Sequence, residues 1–117
     1  MKILKVEVGR QPEVKQINDD LMSMQREVGG YIETAYFYDD VVLVCNENGK
    51  LDGSCPNREI DLDGRLADVI FGDFFLVGVN AGCLTDISDE MTEKYKDILS
   101  LEKSAFREWP ELFGDER

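Results

Sequence analysis

VVLVCNENGKLDGSCPNR, residues 41–58, decides how this chain is read. Residues 41–45 are apolar without a break, so the in-out alternation of a half-exposed strand is missing and the run predicts a central strand covered on both faces. Asn48-Gly49 follows, a pair suited to turns that need positive φ, and it predicts a hairpin. Gly53 and Pro56 interrupt the chain again, which predicts an irregular loop over residues 52–58 ending in Pro56-Asn57-Arg58.

Outward from this stretch, Leu4, Val6 and Val8 alternate with the residues between them, the two-residue period of a strand, and the run stops at Gly9. Turn formers over residues 9–12 let the short run 14–17 fold back as the second half of an N-terminal hairpin. Asn18 offers a cap and Asp19 and Asp20 place negative charge at a helix start. Leu21, Met24 and Val28 then recur at helical spacing up to Gly29-Gly30. Aromatic and branched residues make 31–38 a strand, as do the apolar residues of 74–79, whereas 66–71 fits either a short helix or a strand. Ser88 caps the main helix, whose stripe is Met91, Tyr95, Ile98 and Leu99. The expected architecture is α+β: a mainly antiparallel sheet with two helices packed on one face. A single domain is expected over residues 1–103, followed by a C-terminal aromatic and acidic tail, 104–117.

The chain has 117 residues, enough for one modest core, and a formal charge of -12. The excess lies in residues 39–73 (net -6) and 74–117 (net -5), against -1 for residues 1–38. A surface of this sign repels phosphate backbones, which disfavours nucleic-acid binding through a basic face and leaves basic protein partners open. The three cysteines, Cys45, Cys55 and Cys83, have no C-x-x-C spacing and read as reduced thiols of a cytoplasmic protein. No signal peptide and no membrane-length apolar run is present.

With the elements placed, KILKVEVGRQPEVKQI, REVGGYIETAY, VVLVCNENGKL, PNREI, DVIFGDFFLVGV and LTDISDEMTEKYKDI together resemble the domain of unknown function 3846 family over roughly residues 1 to 100. Two departures fall in loops: Cys55 stands where a second proline is expected, and residues 85–91 are slightly expanded. The resemblance implies a protein encoded by bacteriophages or conjugative elements, and implies no established enzymatic activity.

The candidate binding pair is Asn57 and Arg58, since an exposed guanidinium fork beside an amide can hold a carboxylate, phosphate or carbonyl. The structural alternative has Asn57 bonding its own loop and Arg58 pairing with Asp61, Asp63 or Asp68, and it is the weightier of the two. No histidine exists, which removes histidine triads and the commonest zinc ligand, and the scattered aspartates lack EF-hand spacing. No catalytic residue, metal or cofactor is therefore assigned. Phe106, Trp109, Leu112 and Phe113 are costly to leave in water, so Phe106 and Trp109 are candidate contacts either with the domain itself or with a partner, including a second copy in a homodimer. The expected function is non-enzymatic binding of a host protein, one with a basic nucleic-acid-binding surface, by a phage or mobile-element accessory protein. A small-molecule binding or sequestering module with a pocket near Asn57 and Arg58 is the alternative.

Overall fold

The computed structural model describes residues 1–36, 40–62 and 65–107. The chain forms β1 (Lys2–Val6), β2 (Glu13–Gln16), α1 (Leu21–Val28), β3 (Ile32–Tyr36), β4 (Val41–Asn46), β5 (Pro56–Leu62), β6 (Arg65–Phe71), β7 (Phe74–Asn80), β8 (Cys83–Thr85) and α2 (Asp89–Ile98), then a 3-10 turn, Leu101–Lys103. It is an α+β fold with two helices and a mainly antiparallel sheet in the order β2-β1-β7-β4-β3, with β8 also paired to β7. The β5 and β6 strands form a separate two-stranded sheet. The described ladders are all antiparallel.

The apolar run of β4 is covered on both faces, as its composition requires. Val41 and Leu43 join one core with Leu4, Val6, Phe74, Leu76, Tyr95 and Leu99. Val42 and Val44 join the other with Ile3, Met24, Val28, Phe75 and Val77. The alternating parity along β1, β4 and β7 therefore sends neighbouring residues into two separate cores. Met24 and Val28 belong to α1, Tyr95 and Leu99 to α2, so the helices lie on opposite faces. The expectation of both helices on one face is corrected: a central strand apolar on both sides needs a cover for each.

The hairpin expected at Asn48-Gly49 does not form between β4 and the next strand. One edge of β4 pairs with β3 and the other with β7, leaving no free hydrogen-bonding edge for β5. Neither Asn48 nor Gly49 adopts positive φ. The turn instead packs tightly against β6, where a Cβ on Gly49 would lie 2.6 Å from the Phe71 carbonyl oxygen. The irregular loop expected over residues 52–58 holds for 52–55 and is corrected at its end, since Pro56, Asn57 and Arg58 begin β5. Proline suits the first residue of a strand because it has no N–H to give to a ladder. Residues 66–71, open between helix and strand, are part of β6.

Local signals act as their chemistry suggests at the helix ends. Asp20, rather than Asn18, caps α1 by accepting from the Ser23 N–H at 2.7 Å. Gly29 closes that helix at φ 77°, donating its N–H to the Gln25 carbonyl. Ser88 caps α2, accepting from the Met91 N–H at 3.1 Å. No described helix is long and apolar enough to cross a membrane.

Candidate functional site

The Asn57-Arg58 pair sits at a bulge. Pro56 pairs with Phe71 and Arg58 with Ile70, so Asn57 is the extra residue on the β5 side. In a regular strand successive side chains point to opposite faces, but a bulge re-aims one of them. Both Asn57 and Arg58 are consequently turned inward, each 1% exposed.

Their polar groups are engaged inside the protein. The Asn57 amide donates to the carbonyls of Val6 and Gly72, both at 2.9 Å. Its oxygen accepts from Arg58 Nη1 at 2.8 Å. Arg58 Nε donates to the Leu99 carbonyl at 2.9 Å, Nη1 also to the Asn57 carbonyl at 3.1 Å, and Nη2 to the Arg10 carbonyl at 2.5 Å. The expected exposed fork is thus corrected, and so is the expected pairing with a nearby aspartate. Asp61 is exposed, Asp68 is ion-paired with Lys50, and Asp63 lies outside the described residues.

A buried guanidinium held by neutral oxygens still needs compensation for its lost hydration. Leu99 closes the C-terminal end of α2, where the helix dipole is negative, so Arg58 acts as a cationic cap for that end. Burial lowers the Arg58 pKa from its ordinary value, while the charges of Glu59 and Glu102 act in the opposite direction. The hub reaches further through its neighbours. Ser104 Oγ donates to the Asn57 carbonyl, the Glu59 carboxylate accepts from the Ala105 N–H, and Gln11 bonds both the Leu101 N–H and the Glu102 carboxylate. Pro56-Asn57-Arg58 therefore ties the β1–β2 turn, the end of α2 and the segment that follows into one unit.

Beside that unit lies a cleft of about 650 Å³ between α2 and the β5–β6 sheet. Ile60, Val69, Tyr95, Ile98 and Leu99 provide its apolar surface, and Glu59, Asp61, Lys94 and Lys103 stand around it. Phe106 and Ala105 complete the lining. Neither Asn57 nor Arg58 lines the cleft; they hold its walls in place. Of the two aromatic candidates, Phe106 is brought to the cleft and Trp109 lies outside the described residues. Sequence reasoning missed the cleft, since it depends on the pairing of β5 with β6 and on its approach to α2. The available hint was Ile98, an apolar stripe residue that stays 47% exposed.

Elsewhere the described chemistry is quiet. Burial pushes the Cys45 thiol up to about 11, helped by Glu33 and Asp68, so little nucleophilic thiolate exists at neutral pH. The shifts resolved for described carboxyls, at Asp20, Glu27, Asp52, Asp68, Asp89 and Glu102, are all downward, opposite to those of a general acid. Among the described residues no group of three or more histidine, cysteine, aspartate or glutamate side chains could hold a metal ion.

The profile of a family described as "Domain of unknown function (DUF3846)" matches residues 1–100. No curated protein and no solved structure matches the chain.

Proposed function

Starting from the fact that the chain belongs to the domain of unknown function 3846 family, we propose that it is a non-enzymatic accessory protein of a bacteriophage or conjugative element, acting in the host cytoplasm by binding a host protein through an acidic face. The observation that carries this reading is the row Asp89, Glu93 and Asp97 on α2. All three are exposed and spaced four residues apart, so they line one side of the helix about 6 Å apart along its axis. Glu90 flanks the row, and Glu102 adds an exposed carboxylate just beyond the helix. Lys2 and Lys103 pair with the two ends of the row, but Asp89 and Asp97 remain 97% and 76% exposed, where such pairs contribute little.

A duplex likewise presents closely spaced negative charge, so a basic channel built for nucleic acid is the partner surface that such a row and a formal charge of -12 would suit. The three free cysteines fit a reducing compartment.

The test uses tagged protein as bait in host lysate, beside a bait carrying Asp89→Asn, Glu93→Gln and Asp97→Asn. The expected partner is retained by the first bait, lost from the second, released as salt rises and displaced by duplex DNA. A partner held equally by both baits, insensitive to salt and DNA, would overturn the acidic-face reading.

A further inference from the structure

The main sheet ends at β3, which pairs with β4 alone among the described residues. In an antiparallel ladder, residues that exchange hydrogen bonds with the neighbouring strand alternate with residues whose N–H and C=O point the other way. The Tyr31 carbonyl accepts from the Glu47 N–H at 2.9 Å, so the odd-numbered residues of β3 face β4. The Asp40 carbonyl accepts from the Val79 N–H at 2.8 Å, which turns the even-numbered residues of β4 toward β7 and gives the same phase. Ile32, Thr34 and Tyr36 therefore aim their N–H and C=O groups at the outer edge, where no described residue pairs with them. The opposite edge strand, β2, follows Pro12 and carries Glu13 and Lys15, devices that discourage strand addition, whereas β3 has neither proline nor lysine. We propose that a second copy of the chain adds to this edge, β3 against β3, antiparallel about a two-fold axis at Thr34. The proposal stands independently of the host-protein reading above.

Hydrogen bonding and charge together select this occupant and its register. A two-fold axis perpendicular to the sheet must pass through a residue, because paired residues lie on the same face of the pleat. Centred on Thr34, it pairs Thr34 with itself and Ile32 with Tyr36, so every outward-pointing residue of β3 finds a partner. Centred on Glu33, it would set two Glu33 carboxylates against each other in the closer, non-hydrogen-bonded kind of pair. Centred on Ala35, it would leave Ile32 unpaired. The Thr34 centre instead places exposed Glu33 opposite exposed Ala35 of the second copy and brings two exposed threonines together, a favourable cross-strand pair. A contact in which each copy offers the same patch closes at two copies and joins the sheets into one, running β2-β1-β7-β4-β3 and back. The contact is short and each copy carries a formal charge of -12, so the dimer is weak and tightens when salt screens the repulsion.

Sedimentation equilibrium of the full chain should show a monomer–dimer equilibrium in the micromolar range, tightened severalfold as salt rises from about 0.05 M to about 0.5 M. The acidic-face reading expects the opposite salt response from its host partner, so the two fail separately. Thr34→Pro removes an outward N–H and no bond to β4, and Thr34→Glu sets like charges across the axis. Each should weaken the dimer about tenfold or more while the far-ultraviolet circular dichroism stays native. Ala35→Lys places an ammonium opposite Glu33 of the second copy and should tighten the dimer about threefold or more. Amide hydrogen exchange should slow on dimerisation at Ile32 and Thr34 and be slow in both states at Glu33 and Ala35. A chain that stays monomeric at millimolar concentration, a dimer that either Thr34 variant leaves intact, one that Ala35→Lys fails to tighten, or exchange at Ile32 and Thr34 that ignores concentration would overturn the proposal.

Discussion

Replacing Arg58 tests whether Pro56-Asn57-Arg58 is an architectural hub. The Arg58→Ala variant removes a side chain that is 1% exposed and withdraws the donors of the Leu99 carbonyl, the Arg10 carbonyl and the Asn57 amide oxygen. The Asn57 carbonyl keeps its bond from Ser104 Oγ. Each acceptor stranded in the interior costs roughly 1–3 kcal/mol, and a cavity adds to that. The terms are not additive, and a buried charge is removed at the same time, so a net loss of about 3–5 kcal/mol is expected. Against a total on the order of 10 kcal/mol for a domain of this size, the variant should still fold. Urea denaturation followed by far-ultraviolet circular dichroism should show the midpoint lowered by about 2 M, given slopes of roughly 1–3 kcal/mol per molar. Arg58→Lys separates charge from geometry. An ammonium keeps the charge but cannot span the carbonyls of Leu99 and Arg10 as the planar fork does, so it should lose about half as much. A loss below about 1 kcal/mol for Arg58→Ala, or full stability for Arg58→Lys, would refute the hub.

Glu27 is expected to make the fold acid-sensitive. Burial raises its pKa, but hydrogen bonds from Lys15 and Lys5 outweigh that and leave it below its ordinary value of 4.5. A depressed folded pKa means stabilisation that is full above the unfolded value and is lost as pH falls through the folded one; Glu27→Gln should therefore flatten the acid limb of a stability-against-pH curve. Gly78→Ala should cost about 2 kcal/mol or more, measured by thermal unfolding, because its Cβ would collide with the Asp86 carbonyl oxygen. Iodoacetamide at pH 8 should label exposed Cys83 first, with Cys45 held back by its raised pKa and Cys55 by burial. Mass spectrometry of the labelled peptides checks the order, and rapid labelling of Cys45 would contradict its assignment as an inert thiol.

Much of the fold is legible in short windows of sequence because the signals are local. The two-residue period over Leu4 and Val6, the Ser88 cap and the Gly29 stop each act within a few residues, and each marks a real element or boundary. Residues 66–71 were open between helix and strand because a short apolar run fits both; pairing with β5 resolves them. The short strand β8 gave little warning, since its three residues depend on the edge of β7. At the candidate site, the sequence singled out Asn57 and Arg58 but not their direction. A one-residue bulge reverses it, and a bulge is a property of the pair β5–β6 rather than of either strand.

By itself the sequence determined the family, the α+β class, a central strand needing cover on both faces, and an acidic chain without histidine. Tertiary structure alone decided that α1 and α2 supply those covers from opposite sides, and that β4 spends both edges on β3 and β7. It also decided that Arg58 points inward to the end of α2. The physical reason is common to all three. Periodicity and caps are read within one turn or one strand, whereas pairing, facing and burial depend on partners up to several dozen residues away, whose order along the chain does not reveal their arrangement in space.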